Sequence, residues 1–263
     1  RNAIKECTKI LMNLLFVGAV VLSTIFHGCN NREVQEPTRN TLKIVATTGM
    51  IADLVSEVGG SRVEVTGLMG PGVDPHYYKA TQGDLKHLTT ANVVIYNGLF
   101  LEGKLDNIFQ KMARTKTVVA VSSELPKKNL HKPAEFEGNY DPHIWFDVDM
   151  WRSTIDVVVA TLTKADPEGA STFADNGKDY SNRLAQLDRW VYEQVQKLHI
   201  DRRVLVTAHD AFGYFGSAYG IEVIALQGIS TAAEYGINDV RRLVNLIVER
   251  QIPAIFVESS VPE

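Results

Sequence analysis

The sequence predicts an α/β protein made of two parallel-sheet α/β lobes joined by one long rigid helix. Three observations lead there. Short β-branched runs alternate with helical patterns from residue 42 onward, the signature of a parallel sheet covered on both faces. A proline-free stretch then keeps one helical period for about eight turns. Beyond it, the strand–helix alternation resumes.

The first residues obey a different rule. Arg1, Lys5 and Lys9 precede an apolar run from Ile10 to Phe26, interrupted by Asn13, Gly18, Ser23 and Thr24, and Gly28-Cys29 follows. A basic start, an apolar middle and a small residue before the cut predict a secretory signal over 1–29. The run is a little short for the roughly 20 residues of a membrane span. Both cysteines, Cys7 and Cys29, lie in this segment, so the rest of the chain has no thiol for a disulfide or a metal. Residues 30–41 are polar, contain Pro37 and show no apolar period, which reads as a tether.

Within the first lobe, 42–166, the expected strands are 42–47, 63–68, 92–97 and 117–122. Between them lie the helical patterns "MIADLVSEVG", "TQGDLKHLTTA" and "LEGKLDNIFQKMA". "DMWRSTIDVVVATLTKADP" is expected as a single helix ended near Pro167. The connector is predicted over 167–200, with Tyr180, Leu184, Leu187, Val191, Val195 and Leu198 on one face. A break at Gly177 into two core helices is the competing reading. The second lobe, 201–263, offers strands at 203–208, 222–227 and 255–260 and a helix at 236–251. That is little material to cover both faces of a sheet, so this lobe is expected to be cut short at Glu263.

Net charge is −4, which gives no reason to expect a nucleic acid partner. The informative feature is a repeated triplet. Asp74-Pro75-His76 returns as Asp141-Pro142-His143 in a chain with nine prolines and seven histidines. Proline fixes its own φ and pushes the preceding Asp toward extended backbone, so each imidazole sits on a stiff arm. His209 directly follows the strand "VLVTA", and ligands of open α/β sheets bind at the carboxyl ends of strands. His76, His143 and His209 are therefore the candidate metal ligands. His27 lies in the signal, and His87, His131 and His199 read as structural or solvated.

"VDPHYYKATQGDLKHLTTANVVIYNGLFLEG", "DPHIWFD", "TAHDAFGYFGSAYGIEVIALQGISTAAE" and "IPAIFVESSVP" resemble signatures of the metal-binding solute-binding proteins of bacterial ABC importers, the zinc and manganese receptors. The resemblance spans nearly all of 42–263. It implies a helical-backbone metal receptor with the ion between its lobes, and it places three of that family's four ligands on His76, His143 and His209. The fourth, an Asp, would fall beyond residue 263. It further implies capture of Zn2+, with Mn2+ also possible, and delivery to an ABC permease in the cytoplasmic membrane. Relatives favouring manganese or iron usually carry Glu where His209 stands. The implied protein is a monomer, exported to the periplasm or cell surface and lipid-anchored at Cys29, although Phe26 and His27 depart from the usual lipobox. Two other readings compete: a secreted zinc-dependent hydrolase using Asp210 or Glu258 as general base, and a surface adhesin. No HExxH pair or GxSxG elbow supports the hydrolase.

Overall fold

The computed structural model describes residues 41–134, 136, 138–232 and 234–258. The signal, Cys29 and the tether up to residue 40 lie outside the described residues, as does the end of the chain from residue 259.

The first lobe is a four-stranded parallel sheet in the order β2-β1-β3-β4, with β1 Leu42–Ala46, β2 Val63–Gly67, β3 Val93–Tyr96 and β4 Thr117–Ala120. Alternate residues of the central strands point to opposite faces, as a pleated strand requires. Ile44, Ala46, Val93 and Ile95 face a core built with Leu54 and Val58 of α1 (Gly49–Gly59). The same core takes in Ile155 and Leu162 of α5 (Ile155–Ala165) and Phe173 of the long helix. Val45 and Val94 face a smaller core with Leu88 of α2 (Gln82–Thr90) and Phe109 of α3 (Asp106–Met112). Thr81 and Asp84 form a reciprocal capping box that starts α2.

The single helix expected before Pro167 is broken into α4 (Val148–Arg152) and α5. The break falls at Ser153 and Thr154, whose hydroxyls donate to the carbonyls of Asp149 (3.1 Å) and Trp151 (2.7 Å). Side chains that capture nearby carbonyls compete with the helix ladder.

The connector is one continuous helix, α6 (Ala170–Gln196), about 40 Å long. It begins after a 3-10 turn at Pro167–Gly169 and ends short of residue 200. Gly177 does not break it. A Cβ there would meet Val159 Cγ2 at 2.7 Å, so this glycine lets α5 and α6 approach closely. The expected apolar stripe is buried only in part. Tyr180, Leu184 and Val195 are buried, but Leu187 and Leu198 are exposed, because the helix leaves the first core after Leu184.

The second lobe pairs β5 (Val204–His209) with β6 (Glu222–Gln227) in parallel, around α7 (Gly213–Tyr219) and α8 (Ile237–Glu249). Of the strand expected at 255–260, the described part forms one bridge, Phe256 opposite Thr207, through the Phe256 N–H and the Val206 carbonyl (2.8 Å). Pro253 has no N–H to extend that ladder, and Ile255, Phe256 and Val257 remain exposed.

Candidate metal centre

The three candidate histidines come from separate elements. His76 lies in the loop after β2, His143 just precedes a 3-10 turn at Ile144–Phe146, and His209 ends β5. All are buried, with 8 %, 2 % and 5 % of their surface exposed. Their ring centroids are 5.3 to 6.0 Å apart. One ring nitrogen from each lies within 4.8 Å of the others, and the Nε2 atoms of His76 and His143 are 3.2 Å apart. Imidazole nitrogens on one tetrahedral zinc sit about 3.3–3.4 Å apart, given metal–nitrogen distances of about 2.0–2.1 Å. The His76–His143 pair has that spacing.

Carboxylates orient two of the rings. His143 Nδ1–H donates to Asp141 Oδ1 (2.8 Å), which also accepts the His143 backbone N–H (2.9 Å). His209 Nδ1–H donates to Glu258 Oε1 (2.7 Å). Each bond fixes the tautomer that leaves Nε2 with a free lone pair, the arrangement by which outer groups prepare a histidine for a metal. His76 is different. Its Nδ1 is buried with no partner among the described residues, and Asp74 Oδ1 accepts only its backbone N–H (2.9 Å).

Burial also sets the protonation. It drives the His76 imidazole down to about 3, helped by the neighbouring charge of His143. It drives His143 down to about 3 as well, with His209 adding to the effect. Both rings are therefore neutral near pH 7, and neutral imidazole is the form that binds metal. Burial pushes the Asp141 carboxyl up to about 6, against the lowering by the His143 backbone N–H.

A buried network supports the His143 stub. Glu102, at the end of the loop after β3, accepts the Thr47 hydroxyl (2.7 Å) and the backbone N–H groups of Asn97 (2.7 Å) and Gly98 (3.3 Å). The Asn97 side-chain amide then donates to the Pro142 carbonyl (3.0 Å). This loop carries positive φ at Gly98 (82°), Leu99 (54°) and Phe100 (69°). A Cβ on Gly98 would lie 2.6 Å from Ser122 Oγ, so glycine is required there on two counts. On the other side, Tyr214 of α7 donates its hydroxyl to the Asp141 carbonyl (2.9 Å) and accepts the His131 N–H (3.1 Å). The His131 ring stacks on Tyr214 with centroids 4.2 Å apart.

The trio opens onto a cavity of about 310 Å³ lined by groups from both lobes, including Met50, Met69, Trp145, Thr231 and Glu258. The other described histidines stay away from it. His87 lies in the last turn of α2, and His199 pairs with Asp201 beyond the end of α6. Sequence reasoning missed the orienting roles of Asp141 and Glu258. The Asp-Pro-His triplet itself carried the signal for Asp141, since its carboxylate lies two residues from the ring. Glu258 carried none, standing 49 residues from His209. Its bond to His209 also occupies the carboxylate that the hydrolase reading would use as a base.

Among curated proteins, this chain is 46 % identical over 248 residues to the manganese-binding lipoprotein MntA of Bacillus subtilis, covering 94 % of this chain and 81 % of the relative. It is also 46 % identical over 219 residues to the zinc-binding protein TroA of Treponema pallidum, covering 83 % and 70 %. The solved structure of that periplasmic zinc-binding protein superposes with a TM-score of 0.81 at 45 % identity, over 84 % of this chain and 79 % of the other. Fe(III)-bound YtgA from Chlamydia trachomatis superposes with a TM-score of 0.78 at 27 % identity, over 84 % of this chain and 82 % of the other. Residues 44–263 match the family described as zinc-uptake complex component A, periplasmic. With that match across nearly the whole described region, the chain belongs to the ZnuA family.

Proposed function

We propose that this chain is the extracytoplasmic solute-binding component of an ABC transporter. It captures a divalent transition metal on His76, His143 and His209 and delivers it to a membrane permease. The observation that carries this reading is the convergence of three buried imidazoles, with one nitrogen of each inside a 4.8 Å cluster. Three imidazoles fill three positions of a tetrahedral site and suit borderline metals. Zinc is therefore the favoured cargo, with manganese a weaker one by the usual order of divalent affinities. Relatives at the same 46 % identity are named for manganese and for zinc, which supports a site that serves both.

The division of labour follows the fold. His76 and His143 belong to an N-terminal lobe over 42–166 and His209 to a lobe starting at 201, with the connector at 167–200 between them. A rigid helix limits hinge motion, so release comes from modest shifts that withdraw His209 from the other two. Outside the described residues, we assign Cys29 the lipid anchor, place the protein at the periplasmic or cell surface, and take it to act as a monomer. The site carries its ion and does not convert a substrate.

Zinc titration by calorimetry tests the assignment. His143→Ala and His209→Ala are each expected to weaken zinc binding by more than about 100-fold, beyond the ~10–100-fold cost of losing an outer partner. Wild-type affinity in either variant overturns it.

A further inference from the structure

The two lobes touch around the trio through two kinds of bond. On one side, Tyr214 is buried and fixed between the His131 N–H and the Asp141 carbonyl. Tyr219 accepts the Val148 N–H (3.3 Å) and donates to Asp188 of α6 (2.8 Å). Together with the contact of Tyr219 to the connector, the Tyr214 bonds form a pivot. On the other side a side-chain bond crosses the cleft. Thr231, in the segment after β6, donates its hydroxyl to Asp74 Oδ2 (2.6 Å). The other oxygen of Asp74 accepts the backbone N–H of His76 (2.9 Å). One carboxylate therefore holds a metal-ligand loop from one lobe and a hydroxyl from the other.

Thr231 is well placed for that task. Its own carbonyl accepts the Gln227 side-chain amide (2.5 Å), and both Thr231 and Ile229 are buried. The hydroxyl is thus presented on a held backbone, while the Nδ1 of the His76 ring has no partner among the described residues. A short hydroxyl-to-carboxylate bond is among the stronger hydrogen bonds available.

We infer that Thr231 is a positioning residue that latches the cleft: through Asp74 it ties the His76 loop to the second lobe and so slows departure of the bound ion. This rests on the metal-carrying reading above. Thr231 touches no ligand ring nitrogen, so its effect falls on release more than on the intrinsic strength of the site. Opening the cleft must break this bond, whereas the Tyr214 pivot survives a rotation about the connector.

The test uses the same chain with Thr231→Val, which removes the hydroxyl at nearly constant volume, and Thr231→Ser, which restores it. Zinc release to an excess of chromogenic chelator is followed by stopped flow. Hydrogen exchange is measured on metal-free protein over the peptide containing residues 74–76. The valine variant should release zinc about tenfold faster and exchange faster at 74–76, while the serine variant stays within about twofold of wild type in both. A valine variant with wild-type release and wild-type exchange overturns the latch. So does a serine variant that behaves like valine, since a hydroxyl was then not what mattered. A wild-type protein that takes up no zinc overturns the functional reading instead. The exchange comparison still decides the latch in that case, because it needs no metal.

Discussion

The two Asp-Pro-His stubs are identical in sequence and opposite in use. In the second copy the carboxylate turns inward. Asp141 is 1 % exposed, and its Oδ1 holds both the backbone and the ring of His143. In the first copy it turns outward. Asp74 holds only the backbone of His76 and gives its other oxygen to Thr231 across the cleft. The difference shows that a rigid local triplet fixes where an imidazole starts, while tertiary partners decide whether its ring is locked. On the proposed reading, one ligand is set before the ion arrives and the other by closure of the lobes.

The sharpest way to break that comparison is a matched pair, Asp141→Ala against Asp74→Ala. Removing Asp141 frees the His143 ring and leaves two buried donors unpaired, each costing about 1–3 kcal/mol. Zinc affinity should fall about 10–100-fold, the range for lost outer partners of a metal-bound histidine. Removing Asp74 leaves the His76 ring as it was, and affinity should fall by less than about tenfold. Competition with a chelator of known zinc affinity measures both. Equal losses would mean that the two stubs do the same job after all.

Proton linkage gives a second, smaller contrast, read on the stability of the metal-free protein. His76 and His143 are lowered from an ordinary 6.5 to about 3. Unfolded chains then take up protons that the folded one refuses, so stability is full above pH 6.5 and declines as pH falls toward 3. Asp141 works the other way. Its carboxyl is raised from 3.8 to about 6, so the folded state binds its proton first and gains stability as pH drops through 6. Two histidines against one aspartate leave a net loss on acidification, at most about 1.4 kcal/mol per pH unit for each unbalanced proton. Urea midpoints between pH 7 and pH 4 should therefore fall. Asp141→Ala, which removes the opposing group, should steepen the decline. A midpoint that rises on acidification would contradict the burial of the two rings as neutral groups.

Much of this is legible in the sequence. The strand–helix alternation gave the first sheet because its apolar residues alternate between two covered faces, as Val45 does against Ile44 and Ala46. The repeated triplet pointed to His76 and His143 because proline stiffening is a local property, and the end of a strand pointed to His209. What the sequence hid depends on distant partners or on competition. Glu258 reaches His209 only through the meeting of the chain at β5, and periodicity cannot report a carboxylate 49 residues away. Leu187 keeps the helical period yet stays exposed, because periodicity marks a face and not what covers it. The break at Ser153 and Thr154 came from hydroxyls competing for carbonyls, a contest that a helical pattern does not display.

The finest test separates the charge of the cross-cleft bond from its existence. Asp74→Asn keeps an oxygen for the His76 N–H and places an amide where Oδ2 stood. The Thr231 hydroxyl can accept from that amide as readily as it donated to the carboxylate, so the lobes remain bridged by a neutral bond in place of a charge-assisted one. Charge-assisted bonds are roughly twice as strong as neutral ones, and zinc release should quicken only about threefold, clearly less than in Thr231→Val. Release from Asp74→Asn as fast as from Thr231→Val would mean that closure depends on the negative charge of Asp74 near the ion. Release at the wild-type rate would mean that any bridge of the right length suffices. Either result would show how the outward-turned stub does its work, a question that does not arise for Asp141, whose oxygen never leaves its own histidine.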